Sequence, residues 1–179
     1  MAKTVVLGVT GSIAAYRACE IVSALKKLSF DVKVVLTKEG AQFITPLSLQ
    51  TLSGNKVHAD MFELPEKWDP VHTSLAQGAS LVLIAPATAS IIGKLAGGIC
   101  DDLLTCVVYA TTAPVLIAPA MNEKMYDHAI LKENIIKLKK VGYSFVGPVK
   151  GHLACGHNAM GHIASTDDIV AAAKKLVRR

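Results

Sequence analysis

Short aliphatic runs alternating with helix-type segments limit this chain to very few folds. The clearest runs are Thr4–Val9 (TVVLGV), Asp31–Leu36 (DVKVVL), Ala79–Ala85 and Val115–Ala118. Buried aliphatic strands of this kind suit a parallel sheet covered on both faces. After the first run, Ala14, Ala18, Ile21, Val22, Leu25 and Leu28 recur at helical spacing and mark one buried face. Further helices are expected within residues 37–52, with Pro46 perturbing the middle, and then up to Gly98, over Asp101–Thr111 and Asn134–Lys140, and over Asp167–Arg179, capped by Ser165 or Thr166. Val57–Phe62 and Tyr143–Val146 read as short extra strands, and Glu63–Val71 as an exposed loop. Strand and helix alternate without an internal repeat, so an open parallel sheet with helices on both faces is expected. Right-handed crossovers then place the strand-to-helix loops at one sheet edge, where ligands bind in such folds.

The length of 179 residues fits one domain, residues 1–179. Apolar residues make up 51% and charged residues 18%, which excludes a disordered chain. One Trp, four Tyr and four Phe are too few for a stacking platform for single-stranded nucleic acid. The net charge of +5 is scattered, with a tight basic cluster only at Lys174, Lys175, Arg178 and Arg179, so no nucleic-acid partner is expected. No membrane partner is expected either, because the most apolar stretch, Leu81–Ile92, is broken by Pro86, Thr88 and Ser90. The start reads as a strand, not a signal peptide. The four cysteines lack CxxC spacing; Cys19, Cys100 and Cys106 read as buried free thiols of a reduced, cytoplasmic protein.

Three strand exits carry residues suited to a phosphate. The first, Thr10-Gly11-Ser12-Ile13, combines close backbone approach with a hydroxyl and a helix start, but is neither GxGxxG nor a P-loop. Thr37 follows the second strand, and Thr88-Ala89-Ser90 follows the Ala85-Pro86 strand end. Singly, Ser12, Thr37, Thr88 and Ser90 are explained as helix caps; together they point to a mononucleotide site. His72 opens a short helix and is either an exposed helix-start residue or a base at the same sheet edge. Asn122 either caps a helix or holds a carboxylate without adding charge. Met121 and Met125 are core residues or cover a flat ring. The Gly151–His157 segment reads as a mobile loop with an accessible thiol at Cys155. A zinc set of His152, Cys155, His157 and His162 has loose spacing, so no metal is expected. Asp101-Asp102 fits a helix start better than a catalytic pair.

GVTGSIAAY, His72 ahead of SLVLIAPATAS, GKLAGGICDDLLT, PAMNEKMY and LACG together resemble the flavin-containing cysteine decarboxylase family, nearly end to end. Among its branches, the Leu-Ala-Cys-Gly block matches the one acting in coenzyme A biosynthesis. The resemblance implies a single-domain α/β fold, a Rossmann-like, flavodoxin-type three-layer sandwich with a parallel sheet. It implies FMN as cofactor, with flavin sites at contacts between copies in trimers or a dodecamer built of trimers. Gly11, Ser12, Ile13, Thr37, Thr88, Ala89, Ser90, Ile91 and Ala120 match positions that contact FMN. His72 matches the active-site histidine and Asn122 the residue that binds the substrate carboxylate. Met125, Leu153, Ala154 and Cys155 are expected on the substrate, with Cys155 as proton donor.

The implied reaction is decarboxylation of 4'-phosphopantothenoylcysteine to 4'-phosphopantetheine. Oxidation of the carbon bearing sulfur gives a thioaldehyde, whose C=S group accepts the electrons as CO2 leaves; hydride return and a proton from Cys155 make the whole non-oxidative. A neutral Asn suits a carboxylate that must disappear, since a cation would stabilise the ground state. Ser90, Ile91, Tyr126 and the segment 157–162, usually Gly-rich in the family, depart from the pattern. With no second, synthetase domain in the sequence, that step is expected on another chain. The alternatives are an oxidative peptidyl-cysteine decarboxylase of the lantibiotic type, against which Cys155 speaks, a flavin prenyltransferase, against which the Pro-x-Met-Asn block speaks, an electron-transfer flavoprotein, and a regulatory FMN-binding protein without turnover.

Overall fold

The computed structural model describes residues 2–62, 70–152, 154 and 156–177. Six strands form one parallel sheet: β1 (Thr4–Val9), β2 (Asp31–Leu36), β3 (Val57–His58), β4 (Leu81–Ala87), β5 (Val115–Pro119) and β6 (Ser144–Phe145), in the order β3-β2-β1-β4-β5-β6. Eight helices accompany it: α1 (Arg17–Lys27), α2 (Pro46–Ser53), α3 (Val71–Gly78), α4 (Ala89–Gly97), α5 (Leu103–Ala110), α6 (Glu123–Asp127), α7 (Ala129–Lys140) and α8 (Thr166–Val177). A 3-10 turn at Ile13–Tyr16 leads into α1. A separate antiparallel hairpin joins β7 (Val149–His152) to β8 (Asn158–His162).

The period of two in the strands builds two cores. Val5, Leu7, Val9, Leu81, Leu83 and Ala85 point to one face and pack under α1, α2 and α8. Val6, Val82, Ile84, Ala87 and Ile117 point to the other, under α3, α4, α5 and α7. All seven residues of β4 are buried, as expected for a central strand between two helical layers. The result is the expected three-layer sandwich. Its strand order reverses between β1 and β4, so the exits of those strands diverge and leave a crevice between them.

Several sequence expectations are corrected. Pro46 starts α2 instead of disturbing it, because the first helical position has no N–H to satisfy. The expected strands at 57–62 and 143–146 shrink to two residues each, the minimum that pairs with β2 and β5. The expected Gly151–His157 loop begins inside a strand: Gly151 and His152 belong to β7, which pairs with β8, a hairpin hidden in the sequence because VKGH and NAMGH carry no apolar run. Cys100 is exposed, in the turn after the Gly97-Gly98 end of α4; Cys19 and Cys106 are half-buried, and burial pushes both thiols up from the ordinary value. Of the loop expected at Glu63–Val71, residues 63–69 lie outside the described residues, and Val71 already opens α3.

Asp102 caps α5 with a reciprocal box: its Oδ1 accepts from the Thr105 N–H at 2.8 Å, while Thr105 Oγ1 accepts from the Asp102 N–H at 3.2 Å. Lys94 reaches across from α4 to Asp101 at 2.7 Å and Asp102 at 2.9 Å. Burial opposes the charge on Asp102, but the bonds from Lys94 and Thr105 outweigh it and hold the carboxyl below its usual range. A group held low contributes stability above its unfolded value and loses it as acid protonates the folded form. The Asp102→Ala variant is therefore expected to lose about 1–2 kcal/mol near neutral pH. That deficit should narrow below about pH 4, which thermal melts across pH would show.

Candidate active site

Thr10 fixes the crevice between β1 and β4. It is buried, and its hydroxyl donates to the Pro86 carbonyl at 2.7 Å and accepts from the Thr88 N–H at 3.1 Å. These bonds tie the exit of β1 to the exit of β4. Valine has nearly the same shape but would leave the Pro86 oxygen and Thr88 N–H short of a partner. The Thr10→Val variant is expected to lose about 1–3 kcal/mol in a denaturant melt.

Each strand exit is closed by its own side chain. Ser12 accepts from the Ala14 N–H at 3.3 Å, Thr37 from Gly40 at 3.1 Å and Thr88 from Ile91 at 3.3 Å. The cap reading therefore holds for Ser12 and Thr88; Thr37 braces the turn before Gly40 without being its cap, and Ser90 lies inside the first turn of α4. Thr88 leaves the first N–H groups of α4, at Ala89 and Ser90, facing the crevice, where a helix start favours an anion. Gly11 is required for a different reason: a Cβ there would collide with the Glu39 side chain on the β2 exit.

A cavity of about 570 Å³ opens along this edge. Gly11, Ser12, Ile13, Thr88 and Ala89 form its floor, and Ala120, Met121, Asn122 and Met125 one wall. His152, Ala154, Gly161 and His162 from the hairpin form the other. Among the described residues, no Asp, Glu, Lys or Arg lines it. A neighbouring cavity of about 330 Å³ shares Gly11, Thr88, Ala89 and Met125 and adds Thr37, Ser90 and Ile91 together with the charged Glu39, Lys94 and Asp102.

Asn122 leads into α6 and its Oδ1 caps that helix through the Lys124 N–H at 2.9 Å. The segment before it is anchored at both levels. The Ala120 N–H donates to Ala87 of β4, and the Met121 N–H donates to Gly161 of β8, each at 3.0 Å. Met121 packs partly into the core, whereas Met125 is half-exposed over both cavities.

Every described residue expected at the cofactor or substrate thus falls on one of these two cavities, except His72. That residue sits half-buried in the first turn of α3 and lines neither. Leu153 and Cys155 lie outside the described residues. The sequence did not reveal Thr10 as a clasp, Tyr16 at the cavity mouth, or Gly161 in the wall. Gly161 has φ +135 and its Cβ position is filled by the Met121 carbonyl, a conflict visible only once β8 and that loop meet. Among the described residues no His, Cys, Asp and Glu cluster has metal-site geometry, and none of the helices is long and apolar enough to cross a membrane.

An uncharged cavity of this size at the switch point of a doubly wound sheet, floored by a glycine turn and a helix start, defines a nucleotide-type ligand-binding α/β protein. The chain belongs to the flavoprotein family, whose model matches residues 1–178. It is 41% identical to a probable phosphopantothenoylcysteine decarboxylase of Streptococcus mutans, covering 95% of this chain and 96% of that protein. It is 45% identical to the coenzyme A biosynthesis bifunctional protein CoaBC of Borreliella burgdorferi, over 94% of this chain; the match spans only 43% of that longer protein. In three dimensions it resembles a cysteine-to-serine variant of PPC decarboxylase complexed with pantothenoylaminoethenethiol, with TM-score 0.88, 29% identity and full coverage of both chains. It also resembles the FMN binding protein AtHal3, with TM-score 0.83 and 30% identity over 98% of this chain and 96% of that one.

Proposed function

We propose that this chain binds FMN and decarboxylates 4'-phosphopantothenoylcysteine to 4'-phosphopantetheine, a step of coenzyme A biosynthesis. The observation that carries the reading is the uncharged cavity that sets the Gly11–Ile13 turn and the start of α4 opposite Asn122. A decarboxylase relative of nearly the same length supports it. So does the FMN-binding neighbour in three dimensions.

The residues fit a phosphorylated planar ring. The Gly11–Ile13 backbone, the Ser12 hydroxyl and the α4 start supply neutral donors to a phosphate. Ala89 and Ala120 are small enough for a flat ring to approach, and Met125 gives a polarizable cover. Thr37, Ser90 and Ile91 extend the same surface into the adjoining cavity. FMN, when bound, supplies the reversible two-electron oxidation that turns the carbon bearing sulfur into part of an electron sink.

The protein's own task is placement and proton supply. Asn122 orients the substrate carboxylate through amide N–H donors without a cation that would hold the charge in place. Cys155 gives the proton to carbon after CO2 has left; Ala154, its neighbour, lines the cavity. His72 comes from a neighbouring copy in a homotrimer or a dodecamer built of trimers. Its place off both cavities supports this, as do the exposed Ile13, Tyr16 and Met125 around the mouth.

The purified protein is expected to take up FMN and to acquire the absorbance of a bound flavin. With 4'-phosphopantothenoylcysteine, the Cys155→Ser variant should release CO2 but stop at the enethiol. Full conversion to 4'-phosphopantetheine by that variant would remove Cys155 from the reaction, and failure to take up any flavin would remove the cofactor.

A further inference from the structure

We propose that His157 and Glu123 form a positioning pair that fixes the β7–β8 hairpin against α6 and so sets the width of the substrate cavity. The identity of the substrate rests on the reading above; the contact itself does not.

The hairpin has little apolar packing of its own. In β7 no residue is fully buried, and in β8 only Gly161 is. Something other than core burial must hold it in place. Among the described residues, two ties connect it to α6 and the residues before it. One is the backbone bond from the Met121 N–H to the Gly161 carbonyl at 3.0 Å. The other is the side-chain contact between His157 Nε2 and Glu123 Oε2 at 2.7 Å.

The positions of the ties matter more than their individual strengths. They land on Met121 and Glu123, on either side of Asn122. On the hairpin they lie at His157, just before β8, and at Gly161 near its far end, roughly 13 Å apart for an extended chain. One tie alone would leave a hinge about Gly161; two fix the orientation of the hairpin over the cavity. That hairpin provides His152, Ala154 and His162 to the wall facing Asn122 and Met125.

The groups on the joined elements are compatible with the pair. On α6 the neighbours are Lys124 and Asp127, the latter bound by Lys132 at 3.1 Å. On the hairpin they are His152 and His162, whose Nδ1 lies 2.8 Å from the Ile163 carbonyl. Glu123 is three-quarters buried, so the contact is partly shielded, while His157 is half-exposed.

The test compares His157→Ala, His157→Gln, Glu123→Ala and the double alanine variant. Hydrogen exchange is read over residues 149–162, and kcat and KM are read with 4'-phosphopantothenoylcysteine. His157→Ala should speed hairpin exchange and raise KM, each by about three- to fivefold, with kcat changed less than about twofold. His157→Gln, which keeps a side-chain N–H donor, should recover part of both effects. The double variant should be no worse than the worse single one. Unchanged exchange in His157→Ala, or fully additive effects in the double variant, would overturn the pair. If the wild-type protein does not turn over this substrate, the substrate assignment fails, while hairpin exchange still decides the pair.

Discussion

The Asn122→Asp variant is expected to keep its fold and its flavin and to lose decarboxylation by roughly 10²–10³-fold, the range typical of removing a single aligned donor. The substitution is informative because the observed task of Asn122, capping α6, and its proposed one, meeting the substrate carboxylate, respond oppositely. As the cap of α6 it accepts from the Lys124 N–H through Oδ1, and Asp caps as well as Asn. The melting temperature should therefore stay close to that of the wild type. As the group meeting a carboxylate, it would exchange two N–H donors for a second negative charge, which both repels the substrate and removes its orientation. Measuring CO2 release beside a thermal melt separates the tasks. A variant that melts normally and still releases CO2 at the wild-type rate would confine Asn122 to capping.

Gly161→Val should have the second large effect, by a steric route. Gly161 adopts a φ that a β-branched residue avoids, and its Cβ would run into the Met121 carbonyl. The same residue accepts the Met121 N–H, so the hairpin and the Asn122 loop would be pushed apart together. Backbone strain of this kind costs of order 1–3 kcal/mol. Misplacement of the Asn122 wall by even an ångström should cost about 100-fold in kcat/KM. The sheet core is remote from this contact, so the far-ultraviolet circular dichroism should be retained. A Gly161→Val protein with wild-type kcat/KM would show that the hairpin does not need to meet Met121.

The contrast between these residues shows what the sequence could tell. Val5, Leu7, Leu83 and Ile84 announce a buried parallel sheet through their own side chains, so β1 and β2 were legible to the residue, while β5 ends one residue later and β4 lies two residues further along than the apolar run suggests. Ser12, Thr37 and Thr88 were legible as a set because each follows a strand, and strand exits share one edge whatever the detailed packing. Gly161 and Thr10 were not legible in their roles. Their importance depends on what stands opposite them, Met121 in one case and Pro86 in the other, and both partners are distant in the chain. His72 marks a further boundary. The family resemblance makes it an active-site group, but in a single copy of the fold it lines neither cavity, so the role proposed for it draws on a neighbouring copy.

The most direct test of the central claim is the mass of the product formed by the purified flavoprotein from 4'-phosphopantothenoylcysteine, without added reductant or oxidant. The expected product is lighter by CO2 alone, formed over many turnovers with the flavin oxidised at the end. A product lighter by CO2 and two further hydrogens, formed once per flavin and then only as oxygen is supplied, would contradict it and place this chain with the oxidative cysteine decarboxylases.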